Sequence, residues 1–236
     1  MKYSIPTGFP AWFTTNAIIP DMKVSSQLVE IYAMQHSTPE DEVLMQLNRE
    51  TNLKTIYPRM LSGHLQGKLL EMISRMICPS RILEIGTFTG YSAICMAKGL
   101  TRDGILHTID INDELADMAR EYVDRAGFSG KIVLHTGDAR TIIPDLEEEF
   151  DLVFIDGDKG QYPEYYAVVM NKLKSGGFLL ADNVLWNGRV LEDNAGNNKE
   201  TRGIHGFNKI VAADPRVEKL LLPFRDGLFI IHKTGG

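Results

Sequence analysis

From residue 81 onward the chain alternates short β-prone runs with helical patterns, and that rhythm leaves few architectures open. The runs are RILEI at 81–85, ILHTI at 105–109, KIVLH at 131–135, DLVFI at 151–155 and GFLLA at 177–181. Strands separated by helices indicate βαβ units and therefore a parallel sheet. The rhythm breaks at the end, where RVEKLLL (216–222) and GLFIIH (227–232) are separated only by Pro223, Phe224, Arg225 and Asp226. A connection of hairpin length makes those two strands antiparallel. The expected fold is α/β, with five parallel strands closed by an antiparallel hairpin and helices on both faces.

Residues 1 to about 80 read as helical. Thr38-Pro39-Glu40-Asp41 has the form of a helix start, a capping hydroxyl followed by a proline and acids. After Pro58, Leu61, Leu65, Leu69, Met72 and Met76 recur every three or four residues, which predicts an apolar stripe packed in the core or against a second subunit. Asn112 to Gly127 reads as a full helix with an Asn cap and Arg125 in its last turn. No linker interrupts the 236 residues, so the expectation is one domain over 1–236, in which 1–57 form an N-terminal helical extension and 58–236 the ligand-binding core.

Composition excludes some functions. With 25 Lys and Arg against 31 Asp and Glu, the net charge of −6 gives no electrostatic footprint for a polyanion, so nucleic acid is disfavoured. Cys78 and Cys95 lie outside any CxxC pattern and read as buried apolar-type residues rather than a disulfide framework. The N-terminal MKYSIPTGFPAWF has prolines and a glycine where a signal peptide needs a continuous apolar run, and no window approaches ~18 uninterrupted apolar residues. A cytoplasmic protein with no membrane contact is expected.

The turn after the first strand reads Gly86-Thr87-Phe88-Thr89-Gly90. Phe88 stands where a dinucleotide fingerprint needs a glycine for close approach of a pyrophosphate, and no Gly-Lys-Ser/Thr follows to make a P-loop. Instead, acids gather at the carboxyl ends of successive strands: Glu84, Asp110 and Asp138. Carboxylates repel a diphosphate but suit ribose hydroxyls, an amino group and a positive centre, the groups of S-adenosylmethionine. In this reading Asp110 takes the ribose diol, and Asp138 with the Ala139 amide holds the adenine edge. Glu84, Gly86 and Ser92 surround the methionine end, and Thr87 in the same turn is a further cofactor position. The same acids also read as ordinary strand terminators.

Asp156 follows the fourth strand, and Asp182 and Asn183 follow the fifth. Two carboxylates and an amide oxygen on adjacent strand ends form a hard oxygen set suited to magnesium, manganese or calcium rather than zinc or copper. Such a site leaves positions for substrate and can lower the pKa of a phenol held by two neighbouring oxygens. Lys159, three residues beyond Asp156, is the candidate proton acceptor. Against these stand the ordinary readings of Asp-Asn as a turn pair and of a lysine as a solvated side chain.

LEIGTFTGYS, TIDIN, GDA, FIDGDK and DNVLWNG, followed by FNKIVAADPRVEKLLLPFRDGLFIIHK, resemble the metal-dependent class I O-methyltransferases of the caffeoyl-CoA and catechol type over about residues 40 to 235. The resemblance implies a Rossmann-like, seven-stranded methyltransferase sheet, usually dimeric, that uses S-adenosylmethionine and a divalent cation. It implies Asp156, Asp182 and Asn183 as metal ligands and Lys159 as general base. It adds Ser62 and Asp158 to the cofactor positions and places Asn187 on the substrate side. It fades over residues 1–38 and over the loop 191–203, which in relatives help shape the acceptor pocket. The expected acceptor is a vicinal dihydroxy aromatic. A hydroxylated pyrimidine in tRNA offers the same oxygen pair, with Lys199, Arg202 and Lys209 as a local basic patch. Of other classes, Phe88 argues against a nicotinamide-dependent reductase and Lys159 against a binding module without turnover.

Overall fold

The seven runs pair into one sheet. The computed structural model describes residues 26–192 and 198–235, with strands β1 (Arg81–Ile85), β2 (Ile105–Asp110), β3 (Ile132–Thr136), β4 (Phe150–Ile155), β5 (Leu173–Asp182), β6 (Val217–Leu222) and β7 (Leu228–Lys233). Their order is β3-β2-β1-β4-β5-β7-β6; β1 to β5 are parallel, and β7 runs antiparallel to both neighbours. The expected seven-stranded, mostly parallel α/β sheet with a closing hairpin is what forms.

The chain divides between Pro39 and Glu40 into two units. Within the first, helix α1 (Ser26–Gln35) leaves Leu28, Ile31 and Tyr32 exposed. The helical expectation for residues 1–25 and the acceptor-loop expectation for 193–197 lie outside the described residues.

In the second unit, strand side chains alternate between two apolar layers. Ile82, Leu152, Phe154, Leu180 and Leu228 pack with helices α2 (Glu42–Lys54), α3 (Gly63–Ile77), α4 (Tyr91–Ala97) and α5 (Ala116–Arg125). Leu83, Ile85, Val153, Ile155, Leu179, Ala181 and Phe229 pack with α6 (Ala139–Asp145), α7 (Tyr162–Met170) and α8 (Lys199–Ala213). Each fully buried Leu, Ile or Phe contributes about 1.5–3 kcal/mol, so two covered faces hold the sheet firmly enough to fix its strand ends.

Local starts differ from the sequence reading. Asp41, not Thr38, caps α2, its carboxylate accepting from the Leu44 N–H at 3.0 Å. A carboxylate complements the helix dipole better than a hydroxyl, and Glu40 is turned instead to the Tyr91 hydroxyl. Asn112 does not cap α5. Its Oδ1 accepts from Glu114 N at 2.9 Å, closing a side-chain turn that delays the helix to Ala116.

The stripe on α3 also divides. Leu61 is buried, Leu65 and Leu69 are half-buried, and Met72 and Met76 are 55% and 74% exposed. The inward face is Gln66, Gly67, Leu70, Ile73 and Ser74. A Cβ at Gly67 would stand 2.6 Å from the Tyr91 ring and 2.8 Å from Cys95 Sγ, so the missing side chain sets which face meets α4. Cys95 is buried as expected. Cys78 is exposed, because it ends α3 in the left-handed region (φ 50) with its Sγ turned back to the Arg75 carbonyl.

Gly86 joins the fold to the site. At φ +103 it is in a region that disfavours side chains, and a Cβ there would lie 2.4 Å from the Asp156 carbonyl oxygen. Gly86→Ala is expected to cost more than about 2 kcal/mol, read from the urea midpoint. At the opposite end of the sheet, Asp214 accepts from Tyr166 OH (2.9 Å), Arg216 N (2.9 Å) and Arg216 Nη2 (2.7 Å). The Arg216 hydrogen bonds hold its carboxyl well below the ordinary 3.8. A depressed folded-state pKa stabilises the fold fully above that ordinary value, and the contribution is lost as pH falls through the folded one. Asp214→Asn is therefore expected to lose about 1–2 kcal/mol at pH 7, with the difference from wild type shrinking below about pH 4 in urea titrations.

Candidate active site

Register decides which acids meet. Glu84 pairs with Thr108 and Phe154 across β1, and Ile155 of β4 pairs with Ala181 of β5. Counting by twos from Ile82, Leu106, Phe154 and Leu180 places Glu84, Asp110, Asp156 and Asp182 on one face, at or near the carboxyl ends of β1, β2, β4 and β5. Crevices outside those ends are where open parallel sheets bind ligands.

Glu84 is fully buried. Thr108 donates to its Oε2 at 2.5 Å, and the Thr108 and Thr87 hydroxyls are 2.6 Å apart. Its Oε1 is buried with no hydrogen-bond partner among the described residues. Burial pushes the carboxyl up to about 8, Ser92 and Thr108 pulling against it and Asp156 and Asp110 adding to it. A buried acceptor without a donor costs free energy that a ligand ammonium group can recover.

Asp110 uses its carboxylate to hold the turn, accepting from Phe88 N (2.8 Å) and Asn112 N (3.0 Å). Phe88 takes φ 48 there. Asp138 caps α6 through Arg140 N at 2.9 Å and is ion-paired to the same guanidinium at 2.6 Å, which lowers its pKa. Ala139 follows as the first residue of α6, where a helix leaves its N–H without an internal partner. Asp158 accepts from Gly160 N at 2.8 Å and pairs with Lys199 at 3.1 Å.

The second group sits beside the first. Lys159 Nζ is 2.6 Å from Asp156 Oδ1 and 3.0 Å from Tyr162 OH, whose proton lies between the carbonyls of Asp182 (3.0 Å) and Ile155 (3.2 Å). Burial raises the Asp156 carboxyl to about 6, with Lys159 opposing and Asp182 adding to the rise. Burial works against the charge on Lys159, but Asp156 and Tyr162 outweigh it and hold Lys159 protonated. Asp182 is 5% exposed; its Oδ1 accepts from Asn183 N at 2.8 Å and its Oδ2 from Gln66 Nε2 at 2.6 Å. Asn183 takes φ 58. Arg225 Nη1 donates to the Ser62 carbonyl and to Gln66 Oε1. Asn187 N donates to Asp226 Oδ1 at 2.5 Å.

Among the expected residues, Asp138 is paired with Arg140 and Asp158 with Lys199. Thr108, Gln66, Tyr162, Arg225 and Asp226 belong to the same surroundings and were not singled out in the sequence. Thr108 was accessible to it, since strand alternation puts it on the face of Asp110. Gln66 and Arg225 had no such signal. They reach the site from 116 and 163 positions along the chain from their respective partners Asp182 and Ser62.

Comparison with known proteins shows the family. The sequence profile of the O-methyltransferase family matches residues 34–234. A catechol O-methyltransferase of Niastella koreensis is 36% identical over 161 residues, 66% of this chain and 72% of the relative. Caffeoyl-CoA O-methyltransferase 1 of Zea mays is 34% identical over 207 residues, 83% and 80% of the two chains. Among solved structures, an O-methyltransferase from Bacillus cereus in complex with SAH superposes with a TM-score of 0.83 at 30% identity, covering 88% of this chain and 97% of that one. TomG from Streptomyces achromogenes, in complex with SAM, gives 0.79 at 31% identity over 88% and 96%. The chain belongs to the O-methyltransferase family and is an S-adenosylmethionine-dependent O-methyltransferase of the caffeoyl-CoA and catechol type.

Proposed function

We propose that the acceptor is a vicinal dihydroxy aromatic and that a divalent cation, magnesium foremost with manganese or calcium as alternatives, assists transfer to one of its hydroxyls. The observation that carries this is the pair of carboxylates on adjacent strand ends, Asp182 buried and Asp156 half-buried, with Asn183 next in the chain. Burial and mutual repulsion make that pair costly without positive charge, and an all-oxygen set fits a hard cation. The catechol and caffeoyl-CoA relatives are named for acceptors of this kind.

In this reading Asp156, Asp182 and Asn183 hold the cation. S-adenosylmethionine supplies the methyl group as a sulfonium, and a bound cation lowers the pKa of a gripped phenol from its free value near ~10. Asp110 accepts from the ribose diol. Glu84, Gly86, Thr87 and Ser92 surround the methionine end, and Ser62 and Asp158 border the cofactor. With Asp138 turned to Arg140, the Ala139 N–H is the group left for the adenine edge. Lys159 Nζ, once it has given up its own proton to solvent, would receive the acceptor proton. Asp156 sustains the Lys159 charge against burial, so Lys159 becomes a base only as Asp156 directs its own charge elsewhere. Asn187 borders the acceptor and orients it, and alignment of oxygen, methyl carbon and sulfur then does most of the work.

Beyond the site, a cytoplasmic homodimer completes the proposal, to which exposed Met72 and Met76 on α3 are suited. Among the described residues no helix is long and apolar enough to cross a membrane. A tRNA acceptor gains little support, since Lys199 of its basic patch is paired with Asp158.

Two outcomes are expected. Chelator abolishes catechol methylation, magnesium or manganese restores it, and Asp156→Ala removes the metal response while S-adenosylhomocysteine still binds with nearly wild-type affinity; turnover that survives chelation refutes the cation's part. Separately, a carboxyl with a pKa of about 8 is mostly neutral at pH 7, and an arriving ammonium group favours its ionised form. Cofactor binding at pH 7 is therefore expected to release a large fraction of one proton, seen as a dependence of binding heat on buffer ionisation enthalpy, and Glu84→Gln to abolish that release.

A further inference from the structure

We propose that Gln66 is the positioning residue that aims the Asp182 carboxylate at the cation seat; the inference rests on the reading of Asp156, Asp182 and Asn183 as cation ligands.

Gln66 is 1% exposed on the inward face of α3, and a side-chain amide so placed needs partners for both its ends. It has them. Nε2 donates to Asp182 Oδ2 at 2.6 Å, and Oε1 accepts from Arg225. A carboxylate can only accept and a guanidinium can only donate, so the amide has one allowed orientation between them. Turned over, it would set oxygen against carboxylate and NH2 against guanidinium.

The two ends are themselves fixed. Arg225 occupies the left-handed region at φ 50, which an arginine rarely adopts, and its second bond to the Ser62 carbonyl ties it to the start of α3. Asp182 Oδ1 is held by Asn183 N, so with Gln66 on Oδ2 both oxygens of the carboxylate are set. Released from Gln66, a carboxylate that shares adjacent strand ends with Asp156 would rotate to reduce repulsion. Gln66 is also neutral. It fixes Asp182 without cancelling the charge a cation needs, whereas the ammonium of Lys159 on Asp156 does cancel it.

Outer partners of this kind are generally worth 10–100-fold in metal affinity. The test is calorimetric titration of the full chain with Mn2+ in the presence of S-adenosylhomocysteine, for wild type, Gln66→Met and Gln66→Asn. Gln66→Met keeps length and loses both hydrogen bonds; Gln66→Asn keeps the amide but falls short of Asp182. Both are expected to raise the Mn2+ dissociation constant about 10–100-fold, to leave S-adenosylhomocysteine affinity within about twofold, and to regain turnover as Mn2+ is raised. Mn2+ affinities within about twofold of wild type overturn the inference alone. Parallel loss of S-adenosylhomocysteine binding assigns Gln66 to folding of the pocket and also overturns it. A wild type that takes up no Mn2+ removes the cation reading, and this inference with it.

Discussion

Repulsion among the carboxylates gathered on one rim of the sheet is the constraint that the rest of the site answers. Strand alternation and a parallel register put Glu84, Asp110, Asp156 and Asp182 on the same face, and no rotation of a strand can separate them without exposing its apolar half. Each acid is accommodated differently. Glu84, the deepest, has its proton retained by burial and takes a hydroxyl. Asp110, nearer solvent, accepts two backbone N–H groups. Asp156 has an ammonium, and Asp182 has a neutral amide and its neighbour's N–H. A rim held this way remains short of positive charge, which is the condition under which a sulfonium donor and a hard cation bind in the proposed function.

Much of the fold was legible because its signals are local. Strand runs of five or six residues and the four-residue gap before the last strand carry topology directly. What failed was the choice among competing local partners. Thr38 and Asp41 both qualify as caps, and the carboxylate wins because it also answers the helix dipole. Asn112 can cap a helix or close a turn on itself, and with Asp110 already bonded to its N–H the turn prevails. On α3 the apolar spacing pointed to Leu61, Leu65, Leu69, Met72 and Met76, but a close approach to α4 is made where a side chain is missing, at Gly67. A periodicity count has no weight for absent atoms.

The site was legible in the same uneven way. Acids at strand ends follow from period two and needed no structure. Their protonation and partners did not, because burial and contacts from distant segments set them. Asp138 reads as a cofactor residue, and only the structure shows that Arg140, two positions on, is its ion-pair partner. Lys159 reads as a base, and only its contact with Asp156 reveals that the pair must separate before it can act as one.

Least legible of all was the work done by residues 223–226, whose sequence indicates a hairpin but not its contacts. Asp226 accepts from Asn187 N through its side chain and from Leu185 N through its carbonyl, while Arg225 beside it holds Gln66 and Ser62. Trp186, Asn187 and Gly188 take φ 48, 53 and 77 in succession, a run that costs an ordinary chain about 1–2 kcal/mol for each residue with a side chain. Asp226 helps hold that run through the Asn187 and Leu185 N–H groups. One short connection between antiparallel strands therefore braces both the acceptor side and the cation side of the proposed site. The antiparallel β6–β7 pair keeps its whole connection at the carboxyl edge of the sheet, where Arg225 reaches Gln66 and Asp226 reaches Asn187.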